Sequence, residues 1–350
     1  MRWFALIVYF SAFSTIAGTL VFPSQWHWRN PSGTGGSNQL GDEVVGARLN
    51  LFADEFQNLY WTDGQQIFIT TNTITWTKAG EAPGPERFWD IARGNGRFVG
   101  VRSGLGVVPA VSMDGFQWTN GTARATNSSR IAVEFGNGVF VSTFGNGADL
   151  SVSSDGEEWT TVATGLDPAR LYFGSLRFSD GVFVAAVWYS SPFEYPALAH
   201  VLKSTNGIDW SISPRVNRPF HVDYLMNLRG RLLGPDRFYN EDLSSAGIVS
   251  LPWRRYRQLI YWKNTLVIAD GIQLLQSDPL LEVNITGGDD QKIEIRGLVP
   301  GTTYELMGSQ SLDAPLTSFQ QFSASSEVKN LDLPAARSGF FWIRTLSGSP

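Results

Sequence analysis

The fold is decided by residues 136–159, GNGVFVSTFGNGADLSVSSDGEEW, because this stretch holds two turn motifs that recur along the chain. The first motif, residues 136–141 (GNGVFV), ends in an apolar run. The second, residues 153–159 (SSDGEEW), ends in a tryptophan. Asn-Gly and Asp-Gly supply the positive-φ residues of tight hairpin turns. Each motif therefore predicts a β-hairpin.

Both motifs repeat in phase. The first has copies at residues 94–99 (GNGRFV) and 179–184 (SDGVFV), and its phenylalanine recurs after 42 and then 43 residues. The second has copies at residues 112–118 (SMDGFQW) and 204–210 (STNGIDW), with tryptophan intervals of 41 and 51 residues. Residues 70–76 (TTNTITW) are a degenerate earlier copy. A fixed period of this length indicates a repeat architecture, with an insertion in the longest interval.

The residues of the second motif are expected to be structural. A Ser hydroxyl and an Asp or Asn side chain can bond backbone N–H groups inside the turn, while the tryptophan packs between neighbouring repeats. The residues to which we assign this role are Ser112, Asp114, Gly115, Trp118, Ser153, Asp155, Gly156, Trp159, Ser204, Asn206, Gly207 and Trp210.

Two hairpins per repeat make four strands, and four short strands with their turns fill about 40 residues, which is one blade of a β-propeller. Weaker copies at residues 58–76, 224–253 and 258–278 extend the series. We therefore predict an all-β chain with a six-bladed propeller at residues 26–280; five or seven blades fit the same copies. The sixth copy lacks its tryptophan, and residues 26–29 (WHWR) could supply the missing outer strand and so protect the edges of the ring.

The pattern changes after Pro279. About six short alternating segments follow in residues 281–346, separated by turns such as 287–290 (GGDD) and 300–302 (PGT). This pattern predicts a second module, a small β-sandwich.

The amino terminus has the order of a secretory signal. Arg2 precedes an apolar run at residues 3–13 and small residues at 14–18, which predicts a signal peptide at 1–18 with cleavage near Ala17 or Gly18. The protein is then exported, to the periplasm, the cell surface or the medium, with no membrane span after cleavage. Two alternatives are a core strand or helix, and an uncleaved anchor reaching Phe22.

Composition excludes several classes of function. The chain has 350 residues, 27 basic and 32 acidic, so its net charge of −5 gives no positive field for a nucleic acid. It has no cysteine, which excludes thiolate catalysis, and its three histidines, His27, His200 and His221, stand alone in the sequence. No Gly-rich phosphate loop opens a helix. We expect no metal, no cofactor and a monomer.

The Ser-x-Asp-Gly-x-x-Trp hairpins resemble the Asp-box (BNR) repeats of sialidase-like propellers, although the usual extra residue between Asp and Gly is missing. With residues 28–31 (WRNP), the repeats at about 26–280 resemble exported bacterial repeat proteins of the Verrucomicrobia and Planctomycetes type. Residues 298–304 (LVPGTTY) resemble fibronectin type III modules, where such a tyrosine forms a corner. Residues 341–344 (FWIR) are similar to the sandwich that follows propellers in the same bacterial proteins, a spacer or attachment element.

Aromatic residues in the insertion point to binding. The loop at 186–199 contains WYSSPFEYP at residues 188–196, and long loops of propellers often carry function. Trp188, Tyr189, Phe193 and Tyr195 are the candidate ligand-binding residues, for a polysaccharide or an envelope protein. The alternative is that the loop packs these aromatics against a blade.

A second aromatic patch lies at residues 253–257 (WRRYR). It mixes basic and aromatic residues in the manner of a polyanion site. On an acidic protein the alternative is a solvated strand edge.

The resemblance to sialidase-like propellers implies a second function, glycoside hydrolysis in the central depression. That chemistry needs an arginine cluster and acid/base carboxylates. Asp114 and Asp155 belong to turns, and the early Arg-Ile-Pro motif is absent. We therefore expect a scaffold without catalysis. An enzyme would gather at least two carboxylates and basic groups at the channel mouth.

Overall fold

The computed structural model describes residues 2–4, 16–21, 26–29, 50–62, 65–83, 88–102, 109–121, 130–144, 149–167, 171–189, 198–217, 225–234, 237–240, 245–248, 258–270, 273–286, 292–309, 317–332 and 340–347. All the regular elements in these ranges are β-strands. The chain divides into two compact units. The smaller contains residues 1–27, 263–266 and 276–350, and the larger contains residues 28–262 and 267–275.

The strands in chain order are β1 (Arg2–Phe4), β2 (Ile16–Val21), β3 (Trp26–Trp28), β4 (Asn50–Ala53), β5 (Leu59–Thr62), β6 (Gln66–Thr70), β7 (Thr77–Glu81), β8 (Phe88–Gly94), β9 (Arg97–Arg102), β10 (Ala110–Ser112), β11 (Thr119–Asn120), β12 (Arg130–Gly136), β13 (Val139–Phe144), β14 (Asp149–Ser153), β15 (Thr160–Ala163), β16 (Leu171–Ser179), β17 (Val182–Tyr189), β18 (Leu198–Ser204), β19 (Ser211–Ile212), β20 (Val216–Asn217), β21 (Met226–Leu228), β22 (Arg231–Leu233), β23 (Arg237–Tyr239), β24 (Ser245–Ile248), β25 (Gln258–Trp262), β26 (Thr265–Asp270), β27 (Gln273–Ser277), β28 (Leu281–Thr286), β29 (Lys292–Arg296), β30 (Thr303–Ser309), β31 (Thr317–Ser323), β32 (Val328–Asp332) and β33 (Phe340–Ser347).

Sheets of four antiparallel strands follow one another along the repeat region. Sheet 1 is β4-β5-β6-β7, sheet 2 is β8-β9-β10-β11, sheet 3 is β12-β13-β14-β15 and sheet 5 is β21-β22-β23-β24. Sheet 4 is β16-β17-β18-β19, with β20 also paired to β18. The first strands of successive sheets lie beside one another, as β4 with β8, β8 with β12 and β12 with β16. This order is typical of a β-propeller.

Sheet 6 combines strands from distant parts of the chain. Its order is β25-β26-β27-β3, so residues 26–28 form its fourth strand. The prediction that the missing outer strand comes from WHWR near the amino terminus is confirmed. The Arg29 N–H donates to the Leu274 carbonyl at 2.9 Å, and the Trp76 indole donates to the Arg29 carbonyl at 3.2 Å. A strand taken from the other end of the chain covers the edge that β27 would otherwise expose.

The Gly-Asn-Gly motifs form the predicted hairpins between the first and second strands. Asn95 and Asn137 have φ of 49° and 47°, and Gly96 and Gly138 after them also have positive φ. Asp180 takes the same conformation, with φ of 50°. Asn, Asp and Gly tolerate this left-handed region, which the turn requires.

Successive sheets pack where an aromatic ring of one sheet lies against a glycine of the preceding sheet. A Cβ on Gly94 in β8 would overlap the Phe135 ring from β12, and a Cβ on Gly136 would overlap the Phe178 ring from β16. The same relationship thus recurs one repeat later. Each ring needs a flat, side-chain-free patch of the preceding strand, and this requirement explains glycine at the ends of these two strands.

Two details differ from the sequence interpretation. The first repeat begins at Asn50 rather than Asn58, because β4 is an additional strand ahead of the segment recognised in the sequence. In sheet 4 the first three strands are nine, eight and seven residues long. This lengthening accounts for part of the 51-residue interval between Trp159 and Trp210.

The smaller unit contains two four-stranded sheets, β1-β33-β30-β31 and β2-β28-β29-β32. Side chains from both sheets share one hydrophobic cluster, with Val283 and Ile295 from one sheet and Leu306 and Ile343 from the other. The buried Tyr304 hydroxyl accepts a hydrogen bond from the Val299 N–H at 3.0 Å, a contact within residues 298–304. All six segments expected after Pro279 are strands.

The amino-terminal segment adds a strand to each sheet of this unit. In β1, Phe4 pairs with Ile343. In β2, residues 19–21 pair with residues 281–283. Signal cleavage near Ala17 or Gly18 stays a prediction. It would remove β1 and leave residues 19–21 in place.

Candidate functional site

In the Ser-x-Asp-Gly-x-x-Trp turns, the Ser and Asp side chains accept hydrogen bonds from backbone N–H groups of the same turn. Ser112 Oγ accepts the Gly115 N–H at 2.8 Å, and Asp114 Oδ1 accepts the N–H groups of Phe116 and Gln117, each at 2.8 Å. These bonds stabilise the ionised carboxylate and lower the pKa of Asp114. Three backbone donors that the tight turn leaves without strand partners are satisfied in this way.

The other copies repeat this geometry. Asp155 accepts the N–H groups of residues 157 and 158, and Asn206 accepts those of residues 208 and 209. Asn72 bonds residues 74 and 75 in the degenerate copy. The twelve motif residues assigned from the sequence thus include six side chains, at 112, 114, 153, 155, 204 and 206, with an oxygen that accepts a backbone N–H group.

The indole N–H groups of the motif tryptophans donate hydrogen bonds within their own turns, and that of Trp118 also reaches the preceding sheet. The Trp118 indole N–H lies 3.0 Å from the Gly115 carbonyl of its own turn and 2.7 Å from the Glu81 carbonyl of sheet 1. Its ring packs on Phe88 with centroids 4.6 Å apart. The indole N–H of Trp159 donates to the corresponding glycine carbonyl at 2.8 Å. Trp118 thus contacts both its own turn and sheet 1.

Polar side chains connect each sheet with the next near the first strands and first hairpins. We call these six links the junction contacts. In order around the sheets, they are Arg93 with Asp54 and Tyr60, Asp90 with the Val133 N–H, Arg177 with Glu134, Asp180 with the Arg229 N–H, Arg229 with Tyr261, and Gln258 with the Leu51 N–H. The last contact joins sheet 6 to sheet 1, so the junction contacts form a closed series.

Glu134 is the centre of the most strongly charged part of this series. Its Oε1 lies 2.7 Å from Arg177 Nη1, and its side chain is only 13% exposed. Burial raises the pKa of Glu134 to about 7, and the nearby Asp90 charge adds to the rise, while Arg177 and the Phe178 N–H oppose it. A carboxyl group with this pKa exchanges its proton near neutral pH.

Asp90 and Glu134 also satisfy backbone donors on the neighbouring first strand. Asp90 Oδ2 accepts the Val133 N–H at 3.0 Å and its Oδ1 accepts the Ile91 N–H at 3.0 Å. A first strand has a ladder partner on one side only, so its other edge needs acceptors from elsewhere. The two carboxylates provide these acceptors, which is a structural use of acidic side chains.

Asp54, Tyr60 and Arg93 form the first junction. Asp54 Oδ2 accepts the Tyr60 hydroxyl at 3.1 Å and pairs with Arg93 Nη1 at 3.4 Å. Burial raises the pKa of Tyr60, and the Asp54 charge adds to the effect. The Arg93 guanidinium also lies over the Phe98 ring, 4.8 Å from its centroid. The phenol therefore remains protonated and acts as a donor to Asp54.

The junction carboxylates were not identified in the sequence, because they belong to no recurrent motif. The one available signal is a charge inside an otherwise apolar strand, as in residues 88–94 (FWDIARG) and 130–136 (RIAVEFG). A buried charge in such a strand needs a partner, but the sequence does not say which strand supplies it.

The predicted ligand-binding residues fall in two groups. Trp188 and Tyr189 lie at the end of β17, so the strand continues two residues into the stretch interpreted as WYSSPFEYP loop. Phe193 and Tyr195 lie outside the described residues, as does the whole patch at 253–257.

Two of the histidines have identified contacts. His27 Nε2 lies 2.8 Å from Asp278 Oδ1, and His200 Nδ1 lies 2.7 Å from the Ser213 carbonyl. His221 lies outside the described residues. Within the described ranges no three His, Asp or Glu residues are close enough to hold a metal ion. In that same part of the chain, no helix has the length and apolar character needed to cross a bilayer.

Exposed large apolar side chains are few among the described residues. They are Phe56, Ile74, Met113, Phe116, Tyr172, Ile208, Ile212 and Val328. Half of them lie in the copies of the second motif at residues 70–76, 112–118 and 204–210, whose Asp or Asn side chain closes an Asx turn. Ile74, Phe116 and Ile208 occupy the same position, two residues after the Asp or Asn of the turn, in sheets 1, 2 and 4. Tyr172 is the aromatic residue of this set that lies within a strand.

No protein-family model and no curated protein matches the chain. Solved structures similar to it include YCF48 bound to D1 peptide, at 11% identity and a TM-score of 0.42, covering 73% of this chain and 99% of the other. Virginiamycin B lyase from Staphylococcus aureus matches at 11% identity and a TM-score of 0.44, covering 66% and 80%. The Neurospora crassa Pan2 WD40 domain matches at 8% identity and a TM-score of 0.40, covering 63% and 72%.

Proposed function

We propose that the chain is an exported scaffold, a six-bladed β-propeller of the Asp-box type followed by a fibronectin III-like β-sandwich, that presents a binding surface for a carbohydrate or a protein at the cell envelope. The observation that carries the proposal is that the repeated polar side chains form hydrogen bonds within the protein. The Asx oxygens of the turns bind backbone donors, and the junction contacts join each sheet to the next. The repeats are thus a frame, and recognition is left to the loops.

The loop between β17 and β18 is the proposed recognition element. It follows Trp188 and Tyr189 and includes Phe193 and Tyr195, four aromatic residues within eight positions. It extends from the longest consecutive strands of the repeat region, which makes sheet 4 different from its neighbours. Aromatic rings supply a large contact area with few rotatable bonds, and so bind sugars or protein side chains at a small entropic cost.

A glycan and polysaccharide array tests this proposal. The full chain would be compared with a Trp188→Ala, Tyr195→Ala variant and with Phe56→Ala, which removes a 72% exposed aromatic from sheet 1 as a matched control. Binding that is lost in the loop variant and kept in the control supports a carbohydrate site in the loop. Binding that survives the loop variant places recognition elsewhere and overturns the loop assignment.

The alternative function is a sialidase-like glycoside hydrolase. Its support is the grouping of Asp90, Glu134 and Arg177 on neighbouring first strands, with the pKa of Glu134 raised to about 7, as a general acid requires. Against it, the carboxylates accept hydrogen bonds from the backbone N–H groups of residues 133 and 178. Turnover of a panel of aryl glycosides that Glu134→Gln abolishes, without loss of folding, would favour the hydrolase over the scaffold.

A further inference from the structure

Two successive interfaces between sheets are built alike. A phenyl ring lies on a glycine where sheet 2 meets sheet 3, as Phe135 on Gly94, and again where sheet 3 meets sheet 4, as Phe178 on Gly136. The glycine directly precedes the positive-φ turn of its own sheet, and the ring stands two residues before the positive-φ turn of the next sheet. The turns therefore identify the equivalent residues at other interfaces.

Between sheets 4 and 5 these two positions are polar. Ser179 directly precedes the positive-φ turn at residues 180–181, and Asn227 stands two residues before the turn at residues 229–230. A hydroxymethyl group and an amide thus take the places of a hydrogen atom and a phenyl ring. The polar pair has the smaller volume, so it fills less of the space between the sheets.

A third polar residue, Ser175, faces the same interface. Each of the three residues is paired with an apolar residue that belongs to, or packs against, the hydrophobic cluster between sheets 4 and 5. The partners of Ser175, Ser179 and Asn227 are Ala186, Val182 and Leu232, respectively. Directly opposed residues in antiparallel strands project from the same face of the sheet. The three polar side chains therefore project toward this cluster.

These side chains are buried although two of them have unpaired hydroxyl groups. Ser175, Ser179 and Asn227 are 7%, 8% and 6% exposed. Among the residues that the structure describes, neither seryl Oγ has a hydrogen-bond partner. A buried hydroxyl without a partner costs free energy, and an internal water molecule that bonds several such groups removes this cost. The interface has the polar lining that such a water molecule requires.

Ser175 also occupies the position that Asp90 has in sheet 2. Each residue directly follows a register shift in its first strand and stands five residues before the first positive-φ residue of the turn. Asp90 Oδ2 spans the space to the next sheet and accepts the Val133 N–H at 3.0 Å. A serine side chain is one bond shorter than an aspartate side chain. The Ser175 hydroxyl therefore needs an intermediary to make the same link to sheet 5.

We infer that buried water links sheets 4 and 5 through Ser175, Ser179 and Asn227, at a site that is independent of the ligand of the proposed recognition loop. Charge decides between water and an ion. Arg177 lies between the two serines on β16, and its positive charge disfavours a cation. Its ion pair with Glu134, at 2.7 Å, offsets its attraction for an anion. A neutral ligand with both donor and acceptor capacity fits the hydroxyl and amide groups.

Oxygen-17 magnetic relaxation dispersion of the solvent measures long-lived internal water in the full chain. The test variant combines Asn227→Phe with Ser179→Gly, which transplants the ring and glycine of sheets 3 and 4 into this interface. It should hold fewer long-lived water molecules than the parent chain and unfold at a urea concentration at least as high. A folded double variant with as much long-lived water as the parent chain would overturn the inference.

Ser175→Ala provides a test that does not depend on the transplanted ring, and it decides alone if the double variant does not fold. Removing a hydroxyl that is bonded to water should lower the urea midpoint, whereas removing an unpaired hydroxyl from a dry interface should raise it. Ser211→Ala removes an exposed hydroxyl from the same sheet and is the matched control, with little change expected. A midpoint for Ser175→Ala at or above that of the parent chain would refute the water link.

Discussion

The side-chain amide of Asn137 donates to the carbonyl of Gly181, 3.0 Å away in the equivalent hairpin of the next sheet. The same amide reaches the Thr205 carbonyl at 2.8 Å, in the Asx turn of that sheet. Asn95 makes the corresponding pair of bonds one repeat earlier, to the carbonyls of Gly138 and Ser154. An asparagine that the sequence explains by turn geometry therefore also joins consecutive sheets.

Replacing Asn137 by glycine separates these two roles. Glycine keeps the positive φ of the turn but removes both donated hydrogen bonds, so we expect a loss of about 1–2 kcal/mol in unfolding free energy. Urea denaturation measures the loss. Equal stability of Asn137→Gly and the parent chain would contradict a linking role for the amide.

Trp118→Ala should destabilise the protein by about 2–3 kcal/mol, less than a fully buried aromatic, because the partly buried ring packs on Phe88 and on the cluster between sheets 1 and 2. Trp118→Phe keeps most of this packing and loses only the indole donor, so about 1 kcal/mol is expected. Chemical denaturation of both variants gives the comparison, with exposed Phe116→Ala as a reference that should change little. An unaltered midpoint for Trp118→Ala would argue against the packing of sheets described above.

Gly94→Ala and Phe135→Ala should be strongly coupled. A Cβ at position 94 overlaps the Phe135 ring, so Gly94→Ala alone should cost about 1–3 kcal/mol. Once the ring is gone, the added methyl group has room, and the double variant should be more stable than the sum of the single effects predicts. A double-mutant cycle measures this coupling. Additive effects would mean that the ring and the glycine do not touch in solution.

Stability should fall as pH rises from about 4.5 to about 7, through the contribution of Glu134. Burial raises the pKa of Glu134 from 4.5 to about 7, so in this window the folded chain holds a proton that the unfolded chain has released. Deprotonation in the folded state then places a second negative charge near Asp90, opposite Arg177. The unfolding free energy must therefore decrease over the window.

Glu134→Gln tests the assignment, because its neutral side chain should remove this part of the pH dependence. Urea unfolding at pH 5 and pH 8 gives the slope for each protein. The matched control is Glu157→Gln, which removes an exposed glutamate paired with Arg97 at 3.1 Å. A slope that stays the same in Glu134→Gln would assign the pH dependence to other groups.

The repeats could be read from the sequence because their information is local. The turn at Asn137 and Gly138 requires two residues with positive φ. The turn at Asp155 requires an acceptor for the N–H groups two and three residues later. Each requirement is met within one hairpin. The missing outer strand of the sixth repeat could also be inferred, because an edge without a partner is unfavourable wherever the partner comes from.

The junction contacts were not visible in the sequence for the opposite reason. Trp188 drew attention as part of an aromatic run, whereas Asp90 and Glu134 are single residues in apolar strands. Each gains its meaning from a partner on another strand: Asp90 from Val133, and Glu134 from Arg177. Register and sheet order decide these pairings, and neither leaves a local pattern in the chain.

The sequence by itself thus determined the repeat, its turns and its all-β character, since turn chemistry and strand alternation act over a few residues. The tertiary structure alone decided the junction contacts and the glycine patches under Phe135 and Phe178. These depend on how closely one sheet approaches the next, a distance set by packing of the whole unit.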